Sequence, residues 1–160
     1  MPTAPALPEI SLVMDSDVLT DWRYNRSETL RAIRDYIGRL KKPPALTAVG
    51  VFEALQGFEK IAAKVGGGDE RTQEDRKKTE QLIQTCEVLP FDHAAAAVAA
   101  YIFPRLSQSD RNKHWRDIFI AATALAHNHG VATRNQRDFE IIAQHLPPAY
   151  PFLRLAVWKS

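Results

Sequence analysis

The sequence predicts an α/β domain built on parallel strands, and three observations point there. Ile10-Ser11-Leu12-Val13-Met14 and Val131-Ala132-Thr133 are short apolar runs, ended by Asp15 in one case and Arg134-Asn135 in the other. Such runs, without polar alternation, are typical of strands buried on both faces of a parallel sheet. Between Ile118 and Ala126 the one polar residue is Thr123, so a helix there has no face suited to water and is buried on most sides. It is too short to span a membrane, which takes roughly 20 apolar residues. Gly130, preceded by His127, Asn128 and His129, then stops that helix ahead of the second strand.

The chain of 160 residues is sized for one domain, enough to bury about 68–70% of its unfolded surface. With 25% charged and 45% hydrophobic residues, its composition is that of an ordinary soluble protein. A formal net charge of +2 permits an anionic partner without demanding one. The lone Cys86 has no intramolecular partner for a disulfide, so nothing points to an oxidising compartment. The first residues lack a basic stretch followed by a long apolar one, so we expect no signal peptide, no membrane anchorage and a cytoplasmic location.

Residues 1–9, proline-rich, read as a flexible leader to a domain over 10–160. The first strand ends at Asp15, and Asp17 reads as the residue that starts the next helix. Leu30, Ile33, Ile37 and Leu40 mark an amphipathic helix stopped by Lys41-Lys42-Pro43-Pro44. Ala45-Leu46-Thr47 suits a second strand by position. Val51, Leu55, Phe58 and Ala62 then form a helical stripe, with Glu53 closely surrounded by apolar neighbours. A mid-helix Glu is ordinarily a solvated residue, a role those neighbours weaken.

Gly66-Gly67-Gly68 marks a loop, and 69–85 a polar helix. Cys86 to Phe91 reads as a third strand, Asp92 as the cap of a helix over His93 to Leu106 weakened by Pro104, and Ser107 to His114 as a polar loop. His93 reads as polar surface. A short helix after Phe139 runs to His145, where Pro147-Pro148 break it, and Leu153 to Trp158 reads as a closing strand.

The chemistry lies in the acids. Asp15 ends a strand, Asn135 and Asp138 follow another, and Asp117 opens the buried helix, where the free N–H groups and the helix dipole favour a carboxylate. The plain role of Asp117 is a first-turn acid. If the strands are parallel, right-handed crossovers bring these positions, with Glu53, to one rim, the edge where open α/β sheets bind ligands. Carboxylates about 4 Å apart repel by on the order of 4 kcal/mol per pair at an effective dielectric of 20. Such a cluster holds either protons or a cation. Oxygen donors without Cys or paired His suit Mg2+ or Mn2+ rather than zinc, and a water activated there can attack a phosphate. Arg116, Arg134 and Arg137 flank the acids, either gripping phosphates or forming solvated surface.

Four blocks carry a family resemblance: V-M-D-S-D-V-L at 13–19, T-A-V-G-V-F-E-A-L-Q-G at 47–57, D-I-F-I-A-A-T-A-L-A at 117–126 and A-T-R-N-Q-R-D-F at 132–139. In this order and spacing the chain resembles the PIN-domain nucleases, in particular the VapC-like toxins of toxin–antitoxin pairs. The resemblance implies one PIN-like domain, a parallel sheet of four or five strands with helices on both faces. It implies that Asp15, Glu53 and Asp117 are metal-binding catalytic acids. The fourth position departs from the acid pattern: Asn135 stands where many relatives have Asp, and Asp138 is the other candidate. It further implies Mg2+- or Mn2+-dependent endoribonuclease activity, an antitoxin partner and a homodimer.

Two other readings compete. Asp15-Ser16-Asp17 is similar to the D-x-D start of haloacid dehalogenase-like phosphatases, but Leu19 departs from that pattern and the downstream Lys and acidic pair have no counterpart. Asn135 in an acid position also suits a non-catalytic PIN-like module that binds RNA or protein without cutting.

Overall fold

The computed structural model describes residues 10–65 and 69–158. The expected leader and the glycine loop lie outside them. In chain order the elements are β1 (Leu12–Met14), α1 (Ser16–Arg23), α2 (Ser27–Leu40), β2 (Leu46–Thr47), α3 (Ala48–Val65), α4 (Glu70–Thr85), β3 (Val88–Leu89), α5 (His93–Ile102), α6 (Gln108–Ala126), β4 (Gly130–Thr133), α7 (Gln136–Ala143) and β5 (Leu155–Val157). A 3-10 turn over Phe103–Arg105 follows α5, because Pro104 has no N–H with which to continue the helix. No helix among the described residues is long and apolar enough to cross a membrane.

All strand pairings are parallel, as expected. The main sheet has three strands in the order β1-β4-β5, and β2 and β3 form a second pair. The main sheet thus has fewer strands than the four or five expected. A bridge between Val13 and Ala45 joins the two sheets, with Met14 N donating to Ala45 O at 2.8 Å and Ala45 N to Leu12 O at 2.9 Å.

Alternation along the strands divides the core. Val13 and Val131 pack among Ile118, Ala121, Ala122 and Leu125 of α6 and residues of α5 and α7. Met14 packs with Val18, Leu19 and Ile33, while Leu12 and Ala132 meet Tyr36. Helices therefore cover both faces. Ile118, Ile120, Ala121, Ala122, Thr123 and Ala124 are all fully buried, as an all-round apolar helix requires. The Thr123 hydroxyl donates to Phe119 O at 2.7 Å, so the polar group in the run has a partner.

Several boundaries differ from expectation. Ser107 to His114 is not a loop: Ser107 caps α6 by accepting from Asp110 N at 3.1 Å, and residues from Gln108 onward are helical. Helical backbone is interrupted at His114 (φ −122°, ψ 19°), so Asp117 lies in the turn after a kink rather than at the start of the helix. Asp17 is not the cap of α1. That role belongs to Asp15, which accepts from Val18 N at 2.9 Å, the three-residue reach an N-cap side chain makes. The last helix begins at Gln136, ahead of Phe139.

Gly130 marks the tightest approach, where β4 lies between β1 and β5. A Cβ there would come within 2.8 Å of Arg154 O and 2.9 Å of Leu12 Cδ2. Gly130→Ala should therefore destabilise the protein by about 1–3 kcal/mol, the cost of overpacking a tight site. Urea unfolding checks this, and an unchanged midpoint would show that the strands can part there without cost.

Candidate functional site

The parallel register of β1 with β4 pairs Met14 with Ala132, which puts Asp15 and Thr133 side by side beyond the strand ends. Asp15 N donates to Ala132 O at 3.1 Å. The Thr133 hydroxyl donates to Asp15 Oδ2 at 2.6 Å and accepts from Asn135 N at 2.9 Å. Asp15 is thus held from both sides: its Oδ1 caps α1 and its Oδ2 is bonded to β4.

The network continues outward. Asn135 Nδ2 donates to Asp17 Oδ2 at 2.8 Å. Arg134 lies 3.6 Å from Asp17 and 3.3 Å from the buried Asp21. The order of T-R-N after the strand therefore sets a chain of contacts between the turn after β4 and helix α1.

From the other side, α3 and α6 contribute Glu53, Asp117 and their neighbours. Glu53 Oε2 receives a long contact from Ser16 Oγ at 3.4 Å, and Arg116 Nε lies 3.9 Å away. Glu53 Oε1 is buried without a hydrogen-bond partner among the described residues. Asp117 Oδ2 stands 3.5 Å from His114 Nδ1, and Asp138 Oδ1 stands 4.0 Å from the same nitrogen. The ligand atoms of His114, Asp117 and Asp138 all lie within 4.8 Å of one another.

The electrostatics report crowding. Burial pushes the Asp15 carboxyl up to about 6, partly offset by its bonds from Thr133 and Val18. Burial, then the charge of Asp117, raises Glu53 to about 6. Asp117 rises furthest, to about 7, through burial and then the charges of Asp15, Asp138 and Asp17. Arg116 lowers both Glu53 and Asp117 but does not cancel the rise. Three carboxyls with proton affinity raised this far form a site short of positive charge.

Of the positions singled out in the sequence, Asp15 and Asp138 raise Asp117, and Asp117 raises Glu53. Asn135 lies on the outer side, bonded to Asp17 and Thr133. Arg116 stacks its guanidinium over Trp115 at 4.5 Å, and Arg137 lines a shallow cleft with Arg134, Asn135 and Asp138. Three contributors escaped the sequence reading. By pattern alone Thr133 reads only as strand, Asp17 only as a helix start, and His114 as loop. The spacing of His114 and Asp117, three apart on one helix, was the available signal for the last.

A parallel α/β fold with acids gathered at the carboxyl edge of its strands defines the class. The family model for the PIN domain matches residues 12–144, and the chain belongs to that family. Its fold is similar to several solved structures. With DNA-bound VapBC from Salmonella typhimurium the TM-score is 0.65 at 19% identity, covering 94% of this chain and 100% of that one. With VapBC-5 from Mycobacterium tuberculosis, of the VapBC family of toxin–antitoxin systems, it is 0.60 at 21% identity, covering 93% and 99%. With FitAcB from Neisseria gonorrhoeae it is 0.61 at 24% identity, covering 82% and 92%. No curated protein matches by sequence.

The raised acids set the pH dependence of the metal-free protein. Their folded values of about 6, 6 and 7 exceed ordinary carboxyl values, so the folded chain binds more protons than the unfolded one above roughly pH 4. Stability should therefore fall as pH rises from about 5 to 8. In chelator, Asp117→Asn should melt above the wild type at pH 8, with the gap closing near pH 5. A gap that is absent or reversed at pH 8 would show that Asp117 is not electrostatically crowded.

Proposed function

We propose that this protein is a metal-dependent endoribonuclease acting as the toxin of a toxin–antitoxin pair. The observation that carries the reading is the raised proton affinity of Asp15, Glu53 and Asp117, with Asp15 acting on Asp117 and Asp117 on Glu53, beside a buried Glu53 oxygen that has no partner among the described residues. A cation relieves both conditions at once, and a donor set rich in carboxylate suits Mg2+ or Mn2+.

In this reading Asp15, Glu53, Asp117 and Asp138 hold the ion. Asp138 is favoured over Asn135 for the fourth position because it faces Asp117 across His114, whereas the Asn135 amide is engaged by Asp17. Asn135 then acts as a positioning residue that keeps Asp17 and the turn after β4 together. When bound, the ion supplies an activated water and positive charge for the phosphoryl oxygens. The chain supplies the rest. Thr133 and the start of α1 fix Asp15, Arg116 and Arg137 offer phosphate contacts beside the acids, and Arg134 braces Asp17 and Asp21 while presenting charge at the rim.

The structural neighbours, DNA-bound VapBC and a member of the VapBC family of toxin–antitoxin systems among them, support an antitoxin as partner. A homodimer and a cytoplasmic setting complete the proposal. The other reading, binding without cutting, has Asn135 in its favour but leaves the raised acids without a role.

Two tests follow. With Mg2+ or Mn2+ present, Asp117→Asn should lose nearly all RNA cleavage while keeping its circular dichroism, and Asp15→Asn should do the same, since Asn still caps a helix. Wild-type products should carry 5′-phosphate and 3′-hydroxyl ends. Wild-type rates in Asp117→Asn, or 2′,3′-cyclic phosphate ends, would overturn the mechanism. Separately, Arg137→Ala should weaken RNA binding and reduce the salt slope by about one counterion. An unchanged slope would leave Arg137 as solvated surface.

A further inference from the structure

The geometry points to His114 as a nitrogen ligand of the ion held by Asp117 and Asp138, which makes the site favour a first-row transition-metal ion over Mg2+. This rests on the cation reading of the rim given above and adds to it a donor of a different chemical kind.

His114 is 7% exposed and lies beside two carboxylates. Its Nδ1 lies 3.5 Å from Asp117 Oδ2 and 4.0 Å from Asp138 Oδ1. Both separations exceed the roughly 2.7–3.2 Å of an ordinary N–H···O bond. They suit donors that share one ion: with each about 2.0–2.2 Å from the centre, neighbouring donors stand roughly 3–4 Å apart.

The backbone agrees with this placement. Within α6, helical dihedrals are lost at His114, the residue whose ring meets the carboxylates. Asp117 follows three positions later, on the same side of the helix, and Asp138 comes from α7. The three donors, drawn from two elements, thus lie within 4.8 Å of one another.

The chemical consequence is selectivity. Carboxylates and water alone treat Mg2+ and Mn2+ similarly, whereas imidazole favours transition ions. The alternative role for this ring is a protonated counter-ion to Asp117 and Asp138, in which case it never touches the metal.

Pulsed EPR on the full chain loaded with Mn2+ separates the two. The protein is prepared unlabelled and again with 15N-histidine. The expected result is nitrogen modulation of the Mn2+ echo whose frequency changes with the label, and its loss in His114→Gln. Calorimetry on the same variant should show Mn2+ affinity reduced by on the order of ten- to a hundredfold, with Mg2+ affinity changed far less. Mn2+ bound at the rim without histidine nitrogen modulation overturns the inference while leaving the carboxylate site intact. Modulation that persists in His114→Gln assigns the nitrogen to another histidine and overturns it equally. If wild type and Asp117→Asn bind Mn2+ alike, the reading of the whole rim fails.

Discussion

Asp15 is a buried carboxylate fixed by two parts of the chain that lie far apart in sequence. Its own helix supplies the Val18 N–H and β4 supplies the Thr133 hydroxyl. A carboxylate taken out of water is costly unless hydrogen-bonded, so these two bonds permit an acid at the end of a fully apolar strand. They also tie the start of α1 to the end of β4, and the outer contacts of Asn135 and Arg134 with Asp17 and Asp21 follow from that junction. The parallel β1–β4 register is therefore both a feature of the core and the device that assembles the rim.

Around that anchor the remaining acids are held in tension. Packing of α3 and α6 against the strands places Asp117 close enough to raise Glu53, and at both acids burial does more than neighbouring charge. These acids stand beside a stretch of α6 that is buried without a break from Ile120 to Leu125. Arg116 stands at the edge of the cluster and lowers both Glu53 and Asp117 without cancelling the rise. A site arranged in this way gains most from an added cation, which is the physical reason for assigning it one.

Much of this was legible from the residues alone. Apolar runs ending in polar residues marked β1 and β4, and the burial of the second half of α6 followed from the run Ile118 to Ala126, whose one polar residue is Thr123. What could not be read depended on register and on local backbone geometry. That Thr133 bonds Asp15 follows from the pairing of Met14 with Ala132, which no local pattern reveals. The cap of α1 was misassigned because one residue, Asp15, both ends a strand and caps a helix. The polar stretch 107–114 resembled a loop by composition, although Ser107 and Asp110 carried the spacing of a helix start. Missing that start concealed His114, since its relation to Asp117 exists on a helix and not in a loop.

The central claim is that the carboxylates at the carboxyl edge of the sheet converge on one cation. Anomalous diffraction at the manganese edge from crystals grown with Mn2+ tests it most directly. The account predicts one strong peak bounded by Asp15, Glu53, Asp117 and Asp138. A crystal saturated with Mn2+ that shows no peak there, with the four side chains ordered and ion density confined to other surfaces, would contradict it.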